Sequence, residues 1–203
     1  MEERLIAFAL ASFLIELTPG PNMAYLAVVA ATEGRRRGFS AVAGVALGLS
    51  IVGLLAALGL TALVAGSALA YQGLRWLGVG YLLWLAYDGW RGADGVASLA
   101  TDSASNWRHF KRGLITNLLN PKAAAFYMAV LPTFLGATES LRETLLFSAV
   151  YVAVATGIHA AIVAMAGAAR AIFENPTSER ILRRVLSVGL AAIAVWFAVK
   201  TAQ

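Results

Sequence analysis

Along this chain, long apolar stretches alternate with short polar ones, at lengths that suit a bilayer. A helix needs about 20 apolar residues to cross the hydrocarbon. Six stretches approach that length: 5–31, 40–65, 69–90, 113–135, 144–169 and 185–201. The last is short, and Arg183 and Lys200 flank it as ends that can reach back to the interface. No long two-residue alternation of the kind a barrel requires is present. The pattern predicts an all-α integral membrane protein with six transmembrane helices. The N-terminal stretch opens Met1-Glu2-Glu3-Arg4, unlike the positive start of a signal peptide, and reads as a retained span.

The connections are short except 91–112 and 170–184. The first, RGADGVASLATDSASNWRHFKR, is rich in Ser, Ala, Asp and Gly and reads as a linker ending in a basic-aromatic surface anchor. It divides one membrane domain into a three-helix repeat over 1–92, a cytoplasmic linker over 93–112 and a second three-helix repeat over 113–203. The halves match in order. PNMAYLAVV from Pro21 pairs with PKAAAFYMAV from Pro121, SAVAGVALG from Ser40 with SAVYVAVATG from Ser148, and Leu74-Arg75 with Leu182-Arg183. Three matches in register indicate an internal repeat.

Three is an odd number of spans, so the second copy is expected to be inverted. The charges agree. Loop one–two holds Arg35, Arg36 and Arg37, whereas its counterpart holds only Arg142. Loop two–three has no Lys or Arg between 66 and 74, whereas its counterpart has Arg170, Arg180, Arg183 and Arg184. Eleven Lys and Arg lie on loops one–two, three–four and five–six, and four on the other side. The positive-inside rule then puts those three loops in the cytoplasm and both termini outside.

Two spans contain breaks. Thr18-Pro19-Gly20-Pro21-Asn22 interrupts span one, and Asn120-Pro121-Lys122 interrupts span four, 100 residues after Pro21. Proline costs about 3 kcal/mol in a helix interior but is well placed at a helix's first position, after a capping residue. Asn120 is thus expected to cap a half-helix starting at Pro121, and Thr18 or Gly20 one starting at Pro19 or Pro21. Such starts leave backbone N–H groups unpaired and carry a positive dipole end. Discontinuous helices at equivalent points of two repeats typically frame a substrate site near the midplane, where a carboxylate is a fitting ligand.

Ionisable residues near the breaks are few. Lys122 is the only Lys or Arg not assignable to a loop or span end. It reads as the partner of a substrate carboxylate, as a proton carrier, or as one half of a structural salt bridge with Glu16. Glu16 reads as a ligand for an amino group or a proton carrier. Asn117, one turn before the second break, can point into the same cavity. Asp88 is expected to face water at the end of span three, and His159 to make a helix–helix hydrogen bond. Tyr25 and Tyr127 follow the two breaks and read as packing aromatics. Gly44 and Gly48 form a GxxxG expected to pack within the bundle; a homodimer remains open.

Composition adds exclusions. The chain is 60% hydrophobic and 13% charged, far from the soluble average. It has no cysteine and two histidines, so neither a metal nor a cofactor is expected. The net charge of +5 is read as loop charge at a lipid surface, not as a nucleic-acid interface. No nucleophile–base pair marks an enzyme.

The stretch LTPGPNMAYLAVVAATEGRRRGFSAVAGVALG over 17–48, FKRGLITNLLNPKAAAFYMAVLPTF over 110–134 and LRWLGVGYLLWLAYDGWRG over 74–92 resemble the LysE/RhtB family of bacterial amino-acid exporters. The resemblance implies export of amino acids or close derivatives across the cytoplasmic membrane, driven by the proton motive force or by antiport. It places Pro19, Gly20, Pro21 and Asn22 on the family's first motif and Asn120, Pro121 and Lys122 on its second. Members often have Asp at the position of Asn22, which directs attention to Glu16 as a proton carrier. The alternative is a metal or inorganic-ion exporter on a similar bundle, which the lack of Cys and scarcity of His disfavour. Few intramembrane acids favour a neutral amino acid as substrate, because a cationic side chain would need a buried counter-charge.

Overall fold

The computed structural model describes residues 1–18, 20–59, 67–92, 102–135, 140–169 and 176–200. In chain order these form α1 (Glu2–Glu16), α2 (Pro21–Glu33), α3 (Arg35–Ala57), α4 (Ala68–Gly92), α5 (Asp102–Leu118) and α6 (Pro121–Ala125). A π-helical turn over Phe126–Val130 leads into α7 (Leu131–Phe134), followed by α8 (Leu141–Ala169) and α9 (Pro176–Lys200). No strand occurs among the described residues.

Among the described residues two helices, α3 and α8 over Leu141–Gly167, are single rods long and apolar enough to cross a membrane. A third span results if α1 and α2, which meet at 63°, count as one bent element. The stretch expected as span four is divided between α5 and the run from Pro121 to Phe134. Those expected as spans three and six fall on α4 and α9, which are helical but less uniformly apolar. The first carries Gln72, Arg75, Asp88 and Arg91, and the apolar part of the second runs only over Arg184–Trp196.

Residues 102–112, read from their composition as linker, are helical and continue into span four. Their pattern explains this. His109, Gly113, Thr116 and Asn117 form a buried face, while Trp107, Arg108 and Lys111 are exposed. Trp107 stacks on Phe110 and lies under Lys111, as a surface anchor does. Residues 93–101 of the linker lie outside the described residues.

The helices are held by two kinds of contact. One is an aromatic knot. Phe8 of α1 meets Phe126, Phe134 and Phe147 at centroid distances of 5.7, 5.2 and 5.0 Å. Phe126 in turn stacks on Tyr151 of α8 at 3.7 Å. The other is a glycine crossing of α3 on α5. A Cβ on Gly44 would collide with the Phe110 carbonyl, and one on Gly113 with the Ala41 carbonyl. Gly44 and Gly48 therefore pack within the chain, as their GxxxG spacing predicts.

The π turn has a local cause. Pro132 lacks an N–H, and its ring crowds the carbonyl four residues back. A wider turn before it relieves that crowding and brings the consecutive residues Phe126 and Tyr127 both into the core.

Candidate functional site

The two breaks have related geometry. Helix α1 ends at Glu16, and α2 begins with Pro21 at its first position after Gly20, which is extended and offers no side-chain cap. Helix α5 ends at Leu118, and α6 begins with Pro121 after Asn120. Asn120 Oδ1 accepts from the Lys122 N–H at 3.0 Å, so this cap forms as its sequence predicts. Pro19 lies outside the described residues.

The breaks touch each other. Lys122 Nζ donates to the Thr18 carbonyl at 2.9 Å. It also stands 3.7 Å from Glu16 Oε1. Gly20 is buried against the Lys122 stem, where a Cβ would come within 3.3 Å of Lys122 Cδ. Of the residues singled out from the sequence, Glu16, Thr18, Gly20, Asn120, Pro121 and Lys122 are thus brought into one junction.

The dipoles make this junction intelligible. Glu16 occupies the last turn of α1, where the helix end is already negative, and Lys122 the first turn of α6, where it is already positive. Each charge opposes its own helix. Lys122 instead serves the carbonyl end of α1 through Thr18, and the two side chains neutralise each other across the gap. Glu16 is only 5% exposed. An unpaired carboxylate there would be very costly, so its partners are required.

One further partner and one near neighbour come from α8. Tyr151 donates its hydroxyl to Glu16 Oε1 at 2.8 Å, and His159 Nε2 lies 3.6 Å from Glu16 Oε2. Tyr151 escaped the sequence reading. The available signal was a buried stripe at four-residue spacing, Phe147, Tyr151, Ala155, His159 and Val163, which sets two polar groups on one helix face. His159 was expected to bond between helices; it faces a carboxylate, and its ring nitrogens have no hydrogen-bond partner.

The other candidates are buried but elsewhere. Asn117 is fully buried over Gly48 of α3, with both carboxamide ends unpartnered. Asn22 is buried in the first turn of α2 with Oδ1 unpartnered. Tyr25 is buried with a free hydroxyl, and Tyr127 donates to the Leu49 carbonyl at 3.0 Å. Orphaned polar atoms of this kind are expensive in a packed interior and are common where a polar ligand enters.

Charged clusters stand at both ends of the bundle. At the basic end, His109 meets Glu33 at 3.0 Å, Arg37 meets the same Glu33, and Arg112 holds Asp88 at 2.8 Å. Asp88 is half-exposed, close to its expected place. At the opposite end Arg4 pairs with Glu143 at 2.7 Å and bonds the Phe134 carbonyl. Among the described residues no group of three or more His, Asp or Glu side chains is placed to hold a metal ion.

The model of the LysE type translocator family matches residues 13–202, which include both breaks and the Glu16, Lys122, Tyr151 and His159 groups that meet there. The chain belongs to the LysE type translocator family. It is a membrane transporter family, and its relatives include proteins named for amino-acid efflux. The chain is 37% identical over 131 residues to the homoserine/homoserine lactone efflux protein of Salmonella typhimurium, covering 64% of this chain and 63% of the relative. It is 31% identical over 134 residues to the leucine efflux protein of Klebsiella pneumoniae, covering 64% and 62%. An uncharacterized membrane protein of Vibrio cholerae is 31% identical over 135 residues, covering 66% of each. The matched regions thus span just under two thirds of these relatives. No solved structure matches the chain.

Proposed function

We propose that this LysE-family chain is a secondary active exporter of amino acids or close derivatives across the bacterial cytoplasmic membrane. The observation that carries the reading is the Glu16–Lys122 pair formed where two broken helices meet. A zwitterion can replace this pair one charge for one: its carboxylate takes Lys122 and the N-terminus of α2, which has no side-chain cap, and its ammonium takes Glu16. Asn120 supplies a polar contact at the junction, and Asn22 and Asn117, with their unpartnered carboxamide atoms, meet the parts of the substrate that reach beyond it. The site is neutral before and after binding, so no charge is stranded in apolar surroundings.

The same bookkeeping favours neutral side chains. A lysine or arginine substrate would bring a second cation. Among the described residues the other ion-paired carboxylates, Glu33, Glu143 and Asp88, are engaged at the two ends of the bundle. The names of the relatives, homoserine and leucine efflux proteins, support this class. Inverted repeats rocking about the junction, with the basic end cytoplasmic, would give alternating access. The proton motive force or antiport would drive it, with Glu16 and Lys122 as the candidate coupling groups.

The test is efflux of a panel of radiolabelled amino acids from proteoliposomes, with and without an imposed pH gradient. The Lys122→Ala, Asn120→Ala double variant serves as comparison. The reading expects efflux of one or a few neutral amino acids, lost in the variant. Folded wild-type protein that exports no amino acid would sink it.

A further inference from the structure

His159 is a neighbour of Glu16 that the substrate site does not employ. It is 1% exposed, and both ring nitrogens lack a hydrogen-bond partner. A histidine that merely joined two helices would have used one of them. The charged groups acting on the ring are Glu16 from α1 and Lys122 from α6. Tyr151 shares its helix. Of the other helices packed on α8, α2 carries Tyr25 and Glu33. Helix α3 carries Arg35, which bonds the Ala164 carbonyl nearer the basic end, with Arg36 and Arg37 beside it.

Position along α8 adds direction. Glu143 and its partner Arg4 mark one end, Tyr151 lies about 12 Å further on and His159 about 24 Å, at about 1.5 Å per residue. Glu16 stands between the last two, with Oε1 bonded by Tyr151 and Oε2 approached by His159. One carboxylate oxygen is therefore met from the Arg4–Glu143 side and the other from the basic side.

We propose that His159 is the inner station of the coupling proton, a role that rests on the exporter reading above. A proton on Glu16 Oε2 passes to Nε2 of the neutral ring, leaving a carboxylate and an imidazolium. The imidazolium then releases one proton to water when the junction opens to the basic side, which restores the neutral ring. Glu16, now ionised, is ready for the substrate's ammonium. An ammonium on Glu16, beside Lys122, opposes a second cation on His159, so proton and substrate occupy the junction in turn.

The experiment compares wild type, His159→Gln and Glu16→Gln in proteoliposomes loaded with labelled leucine or homoserine. Two rates are read: counterflow with the same amino acid on both sides and no gradient, and net efflux under an imposed pH gradient. The expected result for His159→Gln is counterflow within about twofold of wild type, a flattened pH profile, and at least tenfold loss of stimulation by the gradient. Glu16→Gln loses both rates. Full stimulation in His159→Gln overturns the proposal. So does an equal loss of both rates with a lowered Tm, which marks a structural histidine. Wild-type counterflow accompanied by net efflux that ignores the proton gradient overturns this proposal alone. Absence of wild-type counterflow for every amino acid tested overturns the exporter reading beneath it.

Discussion

At the first break, Gly20 opens α2 with no side-chain cap, and the preceding carboxylate, Glu16, is held by groups from other helices. At the second, Asn120 closes α6 with its own carboxamide, and the following ammonium, Lys122, reaches across to Thr18. Proline at the first helical position produces the same backbone interruption twice. What differs is where the polar demands are met: the second break satisfies itself locally, and the first depends on its surroundings. Two similar interruptions can thus be finished differently, with a side-chain cap on one side only.

The comparison breaks most severely if the charges are uncoupled. Removing one member of a buried ion pair strands the other, at about 3–5 kcal/mol. Lys122 keeps 18% exposure, so the lower end is expected here. Glu16→Gln or Lys122→Met alone should lower stability by about 3 kcal/mol and abolish transport. The double variant should regain most of the stability but none of the transport. Thermal unfolding in detergent, beside efflux assays, reads both. If the double variant is as unstable as the singles, the two side chains do not act as a pair.

The second break follows α5, which the glycine crossing holds against α3. Gly44→Ala or Gly113→Ala would drive a methyl into a facing backbone carbonyl, and backbone yields less than a side chain tip. Each should cost about 2–3 kcal/mol, toward the upper end for overpacking. Gly157→Ala on α8, with nothing within 4 Å of the added methyl, should leave the Tm unchanged or raised. Equal effects at all three positions would mean that α3 and α5 are not in the contact described.

Tyr151 supplies the hydrogen bond that the first break cannot make for itself. Tyr151→Phe keeps the stack on Phe126 and removes only the hydroxyl. A hydrogen bond to a charged group contributes about 1.5–3 kcal/mol. The variant should lose about 2 kcal/mol of stability and about tenfold in transport, with KM rising as Glu16 loses its fixed orientation. Tyr127→Phe, which loses a bond to a backbone carbonyl of α3, should affect stability without moving KM.

These residues also mark how far the sequence could be read. Pro21 and Pro121 announced both interruptions, Asn120 its own cap, and Gly44 with Gly48 a close internal contact, because each acts through local geometry. The Glu16–Lys122 pairing was one of several readings. Burial and the opposed helix dipoles give it weight, and neither is visible before the helices are placed. Tyr151 was not legible as a ligand of Glu16: 135 residues separate them, and in an Ala/Val-rich helix a tyrosine looks like packing. The helix over residues 102–112 was not legible because Ser, Asp and Asn compete with the helical backbone, and its buried face emerges only against α3. Six apolar stretches were countable, but Tyr, Trp and Gly in α4 dilute its hydropathy below that of α3 or α8.

The smallest effect sharpens the contrast most. Asn120→Ala removes the cap of the second break and should cost about 1 kcal/mol, seen as a modest drop in Tm. Gly20→Ser does the reverse at the first break, giving α2 a side-chain acceptor it lacks. Gly20 is extended, with φ of −158°, so serine suits the backbone. Its Cβ would press only the flexible stem of Lys122. Stability should rise by a few tenths of a kcal/mol, the usual gain of a serine cap over glycine. If those N–H groups hold the substrate's carboxylate, the new hydroxyl competes for them, and KM should rise several-fold while the protein becomes slightly more stable. A gain in stability with unchanged KM would show that the carboxylate binds elsewhere, and would leave Lys122 as its sole anchor.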